Sequence, residues 1–144
     1  MSGKTDEATR WLAAAREELA WARYATKGEF HAPACFHAQQ AAEKAVKAVH
    51  FHRGARAVLG HSVRRLIETL ADAPSELDAL REAARELDLF YIPTRYPNGL
   101  ESGTPGEAFG PAQSERALDH ASKILAAVES IIARSLPVQP LNGP

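Results

Sequence analysis

A one-sided run of basic residues near the middle of the chain is its strongest candidate for anion chemistry. Between positions 44 and 67 no Asp or Glu interrupts six basic residues: Lys44, Lys47, Arg53, Arg56, Arg64 and Arg65. From Glu68 to Asp88 the sign reverses, with seven acidic residues against two arginines. The run is either a solvated helix face or a phosphate-binding surface. A helix starting near His61 and Ser62 would add free amides that favour an anion.

Polar residues at helical spacing form a second candidate group. Gln40, Glu43 and Lys47 follow one another within Gln40-Ala41-Ala42-Glu43-Lys44-Ala45-Val46-Lys47-Ala48, and Glu43 precedes Lys47 by four residues, the favourable order for an ion pair. Gln39 and Glu43 lie on or beside the apolar stripe of this helix, where a polar group needs a partner. They either bind polar groups of other helices, which we favour, or line a site.

A third candidate is Thr94-Arg95-Tyr96-Pro97, at the start of a segment rich in proline and glycine. Arg95 offers a planar set of donors that suits phosphate or carboxylate, and Tyr96 adds a stacking face. Alternatively, Arg95 pairs with Glu43 or another acid and pins the loop. Metal chemistry is not expected, because His50 and His52 are two residues apart and would point to different faces of a helix.

Composition restricts the kind of protein that carries these groups. The chain has 144 residues, a net charge of −1 and one cysteine, Cys35, so neither bulk attraction to nucleic acid nor an intramolecular disulfide is expected. No signal peptide and no apolar run of about 20 residues is found, which predicts a cytoplasmic protein without a membrane span. Neither a cofactor nor a metal is predicted.

The elements that must position these groups are helices. Apolar residues recur at three- and four-residue steps, and Gly and Pro mark the boundaries, which predicts helices over 6–27, 33–52, 62–71, 75–91 and 111–135. Ser62 is a predicted N-cap, and Ser75 with Asp78 resembles a capping box. Trp11 is assigned to the core, and Trp21 to the core or a dimer interface.

These elements predict an all-α fold, an antiparallel up-and-down bundle of about five helices over residues 6–136. The long segment 92–110 is functional or disordered, since such loops are uncommon in compact domains. The tail, 137–144, is expected to be disordered because it is rich in proline.

The order of these features resembles the HEPN family (higher eukaryotes and prokaryotes nucleotide-binding domain). A first helix with Trp11 precedes the motif from Gln40 to Ala48; His61 with Leu66 follows, then Thr94-Arg95-Tyr96-Pro97 and a long final helix. The resemblance implies a helical bundle that forms a homodimer. It also implies a minimal nucleotidyltransferase as partner, in a toxin-antitoxin-like pair.

The leading hypothesis from this resemblance is a nucleotide- or nucleic-acid-binding module. Its predicted phosphate-binding residues are Lys44, Lys47, His61, Arg95 and Tyr96, with Gln40 and Glu43 as supporting polar groups. RNA is a further ligand that the resemblance allows. A purely structural dimerisation domain is another alternative.

Many HEPN proteins are metal-independent ribonucleases, whose signature is an Arg followed after four to six residues by His. This chain departs from that pattern, because Leu100, Glu101 and Ser102 stand where Arg95 would require the His. Arg56 and His61 have a permitted spacing but lie between the second and third predicted helices. An endoribonuclease toxin using Arg95, Arg56 and His61 is therefore the alternative, and a non-catalytic role is favoured.

Overall fold

The computed structural model describes residues 4–135, which form helices joined by turns. The α-helices are α1 Lys4–Lys27, α2 His31–His52, α3 Val63–Glu68, α4 Ser75–Asp78, α5 Arg81–Asp88, α6 Pro105–Ala108 and α7 Pro111–Ser135, and a 3-10 turn covers Pro97–Gly99. This range contains no strand, and the predicted all-helical bundle is confirmed. None of its helices is long and apolar enough to cross a bilayer. The predicted tail, 137–144, lies outside the described residues.

Helices α1 and α2 form an antiparallel hairpin. Helix α1 ends before Gly28, as predicted, and Glu29 takes the left-handed backbone conformation, with φ of 64°, that reverses the chain. Residues early in α1 then meet residues late in α2, since the Trp11 ring stacks on Phe51 with centroids 5.4 Å apart. This pairing fixes which face of α2 remains available for chemistry.

Helix α7 completes the bundle and runs in the same direction as α2. It is antiparallel to α1, where Arg16 pairs with Glu129 at 2.7 Å, and its start meets the start of α2, where His31 Nδ1 lies 2.8 Å from Ser114 Oγ. The short helices between residues 53 and 110 carry the chain back from the end of α2 to its beginning. They therefore pass across the side of α2 that α1 and α7 leave uncovered.

The core combines small residues of α1 and α2 with larger apolar side chains from the other helices. Alanines on α1 and α2, among them Ala15, Ala22, Ala38 and Ala45, are fully buried and let the two helices approach closely. Ile67, Leu77, Leu87 and Ile124 are also fully buried and supply volume. Burial raises the pKa of the Cys35 thiol to about 12, so this residue is a packing group rather than a nucleophile.

The segment predicted as one helix over 75–91 is two helices, α4 and α5. The chain bends at Leu80, with φ −104° and ψ 17°, and its amide donates to the Leu77 carbonyl, which ends α4. Ser75 is the first residue of α4 rather than its N-cap, and no side chain caps that end. Ser62 does cap α3 as predicted, because its hydroxyl accepts from the Arg65 amide at 3.1 Å.

The two tryptophans differ in their surroundings. Trp11 is half-buried and packs against the core, as expected. Trp21 is 61% exposed, so the alternative that placed it in the core is wrong. An exposed tryptophan on α1 is more typical of a contact surface than of a packing group.

Candidate functional site

Glu43 is the centre of a buried polar cluster on α2. Only 4% of its side chain is exposed, and its carboxylate accepts from Lys47 Nζ at 3.0 Å and from the amides of Gln39 and Gln40 at 3.2 Å each. His61 Nδ1 lies 3.2 Å from the same carboxylate. A buried carboxylate with four partners holds its neighbours in fixed positions, since each contact is charge-assisted.

The cluster follows one face of α2. Phe36, Gln40, Glu43 and Lys47 are separated by four, three and four residues, which places them along a single stripe of a helix. Phe36 is at one end, and Lys47, whose Nζ lies 5.5 Å from the centre of the Trp11 ring, is at the other. The stripe thus connects aromatic side chains at both ends through a charged middle.

His61 reaches this stripe from the turn before α3. Gly60, with φ of +102°, takes a backbone conformation that other residues rarely adopt, and the His61 carbonyl accepts from Gln39 Nε2 at 2.9 Å. Asp88 of α5 fixes the adjoining helix start, because it accepts from Ser62 Oγ and the Val63 amide at 2.6 Å each. His61 remains 57% exposed on its side chain, so its ring can meet a ligand.

The amides at the start of α3 are already occupied. Asp88 accepts from the Val63 and Arg64 amides, and the Ser62 hydroxyl accepts from the next one. The prediction that this helix start offers free amides to an anion is therefore wrong. The protein's own carboxylate takes the place of that anion.

Arg95 lies in an aromatic cage that shares the Tyr91 ring with His61. Its guanidinium carbon is 4.6, 4.5 and 5.0 Å from the ring centres of Phe36, Tyr91 and Tyr96, and its Nε donates to the Tyr91 carbonyl at 2.9 Å. The His61 ring stacks on Tyr91 with centroids 4.6 Å apart. Within residues 6–134 no carboxylate forms an ion pair with Arg95, so the alternative that paired it with Glu43 is wrong. Its terminal N–H groups remain available for an anion.

Beside the stripe, Glu18 of α1 binds two residues of α2. It accepts from His37 Nδ1 at 2.7 Å and from Lys44 Nζ at 2.6 Å. Burial opposes ionisation of this carboxyl, but the hydrogen bonds from His37 and Lys44 outweigh that effect and lower its pKa. Glu18 is therefore charged at neutral pH and holds Lys44 toward α1.

Half of the predicted basic run, three of its six residues, is neutralised within the fold. Lys44, Lys47 and Arg64 pair with Glu18, Glu43 and Glu68 respectively. Arg53 donates to the carbonyl of Ala71 at 2.6 Å. Arg53, Arg56 and Arg65 are exposed, as the solvated alternative predicts. At the polar cluster itself, Arg95 is the cation without a carboxylate partner among residues 6–134.

This combination of a cationic aromatic cage with a carboxylate-held histidine occurs in a chain that matches a known family. The sequence matches the HEPN domain over residues 8–131, which is most of the chain. The chain belongs to the HEPN domain family. No curated protein matches it.

Two solved structures are similar to this HEPN chain. TT1696 from Thermus thermophilus is 42% identical, with a TM-score of 0.80 over 87% of this chain and 98% of that one. ST0689, an archaeal HEPN homologue, is 33% identical, with a TM-score of 0.73 over 88% of this chain and 98% of that one. The bundle described above is thus a HEPN fold.

The HEPN chain brings several of the predicted site residues together and leaves others apart. Gln40, Glu43, Lys47 and His61 form the cluster, and Arg95 joins it through Tyr91. Tyr96 lies at the outer edge of the cage and Lys44 lies toward α1. Arg56 is exposed on the connection before α3, outside the contacts that define the cluster. Lys47, only 7% exposed, is placed to hold Glu43 rather than to reach solvent.

Three residues of the site were missed by the sequence analysis. Phe36 and Tyr91 were not among the predicted site residues, yet they form the walls that position Arg95 and His61. Asp88 was counted only as one of many acids. A usable signal did exist, because Asp88, Tyr91 and Arg95 are three and four residues apart, which places them on one face if helical turns continue past α5. Among the described residues, no three His, Cys, Asp or Glu side chains are grouped to hold a metal ion.

Proposed function

We propose that this HEPN protein is a nucleotide- or nucleic-acid-binding module that acts as a dimer. The observation that carries the proposal is the Arg95 guanidinium, which lies among Phe36, Tyr91 and Tyr96 without a carboxylate partner in the described chain. A guanidinium offers paired donors to phosphate, and the aromatic rings around it offer faces to a base.

The surrounding charges support an anionic ligand. Lys47 neutralises Glu43, so Arg95 adds a net positive charge to a site whose histidine is exposed. The His61 ring, stacked on Tyr91 at 4.6 Å, can donate its second N–H to a phosphate oxygen when protonated. Lys47, Gln40 and Glu43 then position the groups that meet the phosphate, with Arg95, His61 and Tyr96 in contact with the ligand.

Arg95→Ala is expected to weaken nucleotide binding about tenfold, because a charge-assisted hydrogen bond to phosphate contributes about 1.5 kcal/mol. Calorimetry with ATP, GTP and a short RNA measures the change. Arg85→Ala is the matched control, since Arg85 is an exposed arginine of α5 whose nearest acid, Glu82, is 3.6 Å away. Absence of heat at millimolar ligand with the wild-type protein would refute the proposal.

A second candidate function, metal-independent endoribonuclease, is favoured by one observation. Glu43 lies 3.2 Å from His61 Nδ1, which directs the neutral ring to keep its proton on Nδ1 and leaves Nε2 as an acceptor. A histidine in this state can take a proton from a ribose hydroxyl while a nearby arginine stabilises the phosphate. For Arg56 to take part, its side chain would have to reach the RNA at His61 from the loop before α3.

If the protein is this ribonuclease, His61→Asn is expected to reduce RNA cleavage in EDTA by at least about a hundredfold, because general-base catalysis contributes that much. His120→Asn is the control, since His120 lies outside the cluster, where its Nε2 is 2.5 Å from a carboxylate oxygen of Glu86. Gel analysis of labelled RNA gives the rate. Intact RNA after long incubation with the wild-type protein excludes this function and leaves the binding module.

The proposed dimer has a candidate surface on α1. Trp21 is 61% and Tyr24 77% exposed, and together with Glu17 and Ala20 they line a shallow apolar hollow of about 510 Å³. Exposed aromatic groups of this kind are enriched at protein interfaces. A minimal nucleotidyltransferase is the proposed partner of the dimer, as the family implies. If the protein co-purifies with such an enzyme but binds no nucleotide or RNA, the structural dimerisation domain is favoured instead.

Trp21→Glu is expected to raise the dimer dissociation constant by at least about tenfold, because a charge would be buried in an apolar contact. Sedimentation velocity over a concentration series measures the constant. Leu59→Glu is the control, since Leu59 is 88% exposed on the connection before α3. A wild-type protein that sediments as a monomer at high micromolar concentration contradicts the dimer.

A further inference from the structure

The outward side of α1 carries a stripe of residues with the spacing of a seam between paired helices. Steps of three, four, three and four residues separate Arg10, Ala13, Glu17, Ala20 and Tyr24, and all five are exposed. Such alternating steps keep residues on the side of a helix that faces a second helix. The buried stripe of α1 already belongs to the core, so the exposed stripe is available to another chain.

We propose that two copies of this chain pair antiparallel along this stripe through a reciprocal contact of Arg10. The Arg10 side chain of each copy enters the apolar hollow beside the partner's Trp21 and meets the carboxylate of the partner's Glu17. The hollow is incomplete without that arginine. This inference rests on the proposed dimer and extends it by naming the charged groups that hold the two copies together.

The apolar hollow has the form of a hole for one side chain of a facing helix. It is lined by Glu17, Ala20, Trp21 and Tyr24. These four positions follow the pattern i, i+3, i+4 and i+7, which is the set of residues that surrounds a side chain inserted from a second helix. Ala20 forms the floor of the hole because it has the smallest side chain of the four. The hole therefore accepts a long side chain.

The chemistry of the hole suits a guanidinium group. Trp21 and Tyr24 offer exposed aromatic faces, which attract cations. The Trp21 ring is already oriented, because it stacks on His37 with centroids 6.0 Å apart. Within residues 6–134 no cation forms an ion pair with Glu17, so its carboxylate is available to a partner.

Arg10 is the cation of α1 that a second copy can supply. Its side chain is 78% exposed, and it pairs with Glu7 of the same helix, which is 38% exposed. Exposed pairs of this kind contribute little to stability, so Arg10 can exchange Glu7 for another carboxylate at low cost. Arg16 and Arg23 instead line a groove between α1 and α7, on another face of the helix.

Antiparallel pairing about a two-fold axis makes this contact twice. An axis midway between Ala13 and Glu17 sets Arg10 of each copy opposite the partner's Ala20, and Ala13 opposite the partner's Glu17. Each long side chain thus faces an alanine. Arg10 and Ala20 are ten residues apart, so the two contacts lie about 15 Å apart along α1.

Charge reversal tests the contact. Arg10→Glu and Glu17→Arg each place like charges opposite one another at both contacts, so each is expected to raise the dimer dissociation constant at least about tenfold. Sedimentation velocity over a concentration series measures the constant. Both positions are exposed, and circular dichroism should show that both variants remain folded.

An equimolar mixture of the two variants gives the sharper result. One chain then carries two acids and the other two arginines, so a mixed dimer has an opposite-charge pair at each contact. We expect the mixture to dimerise within about threefold of the wild-type constant. Arg85→Glu is the matched control, because Arg85 is exposed and pairs with Glu82 three residues earlier, as Arg10 pairs with Glu7.

The outcomes separate this inference from the proposed dimer. A wild-type dimer that neither reversal weakens, or that the mixture fails to restore, overturns the Arg10 contact while the dimer stands on another surface. Equal weakening by Arg85→Glu also overturns the contact, because net charge would then explain the effect. A wild-type protein that is monomeric throughout overturns both the contact and the dimer.

Discussion

Replacing Glu43 by alanine is expected to destabilise the protein by about 3 to 5 kcal/mol. The change removes the carboxylate that holds Lys47 at 3.0 Å and leaves that ammonium group 7% exposed without its partner. The amides of Gln39 and Gln40 lose an acceptor as well. Since domains of this size have a total stability of about 5 to 15 kcal/mol, the loss is a large fraction of it. Urea unfolding followed by circular dichroism measures the effect.

The double variant Glu43→Leu with Lys47→Met separates the cost of an unpaired charge from the net contribution of the pair. Replacing both members of a buried ion pair by apolar groups is often neutral or stabilising, so we expect the double variant to recover most of the lost stability. If it is as unstable as Glu43→Ala, the destabilisation does not come from the lone ammonium group and our account of the cluster is wrong.

Asp88→Ala is expected to cost about 2 to 3 kcal/mol, because hydrogen bonds to a charged acceptor contribute about that much when their donors are left unpaired. The carboxylate accepts from Ser62 Oγ, the Val63 amide and the Arg64 amide, which together fix the start of α3. His61 immediately precedes this start, so its ring should lose its position over Tyr91. Urea unfolding gives the stability, and calorimetry should show weaker nucleotide binding.

Asp119→Ala provides the comparison for Asp88. Asp119 pairs with Lys123 at 2.9 Å on the exposed side of α7, and such surface pairs contribute at most about 1 kcal/mol. We expect the Asp119→Ala variant to have the same stability and the same nucleotide affinity as the wild-type protein within measurement error. A similar loss in both variants would show that Asp88 has no special role at α3.

The long helices could be predicted from the sequence because their signals are local. Gly28 ends α1 and Pro111 opens α7 within a residue or two of the predicted boundaries. The break at Leu80 could not be predicted, because Leu77, Leu80, Ala84 and Leu87 still follow a helical period across it. Tertiary contacts decide there: α4 pairs with α7 through Glu76 and Arg134, while α5 holds α3 through Asp88. One continuous helix and two shorter helices satisfy the same periodicity, and packing decides between them.

The candidate site could be named from the sequence but not assembled. Chain spacing places Gln40, Glu43 and Lys47 on one face of α2, and those contacts follow from helix geometry. Chain spacing does not predict that His61 pairs with Glu43, nor that Arg95 stacks on aromatic rings instead of pairing with an acid. The contacts of His61 with Glu43 and of Arg95 with Phe36 join residues 18 and 59 positions apart, and only the packing of the connecting segment on α2 brings them together.

The segment between residues 53 and 110, which crosses the outside of α2, has a consequence for how this protein could diversify. It supplies His61, Tyr91 and Arg95, whereas α1, α2 and α7 supply most of the buried core. The part of this segment between α5 and α6, which carries Arg95 and Tyr96, contributes little to the core, so its sequence can vary with less effect on folding. A library of variants restricted to residues 92–100 should change ligand preference while the scaffold continues to fold, which makes this chain a suitable starting point for directed evolution.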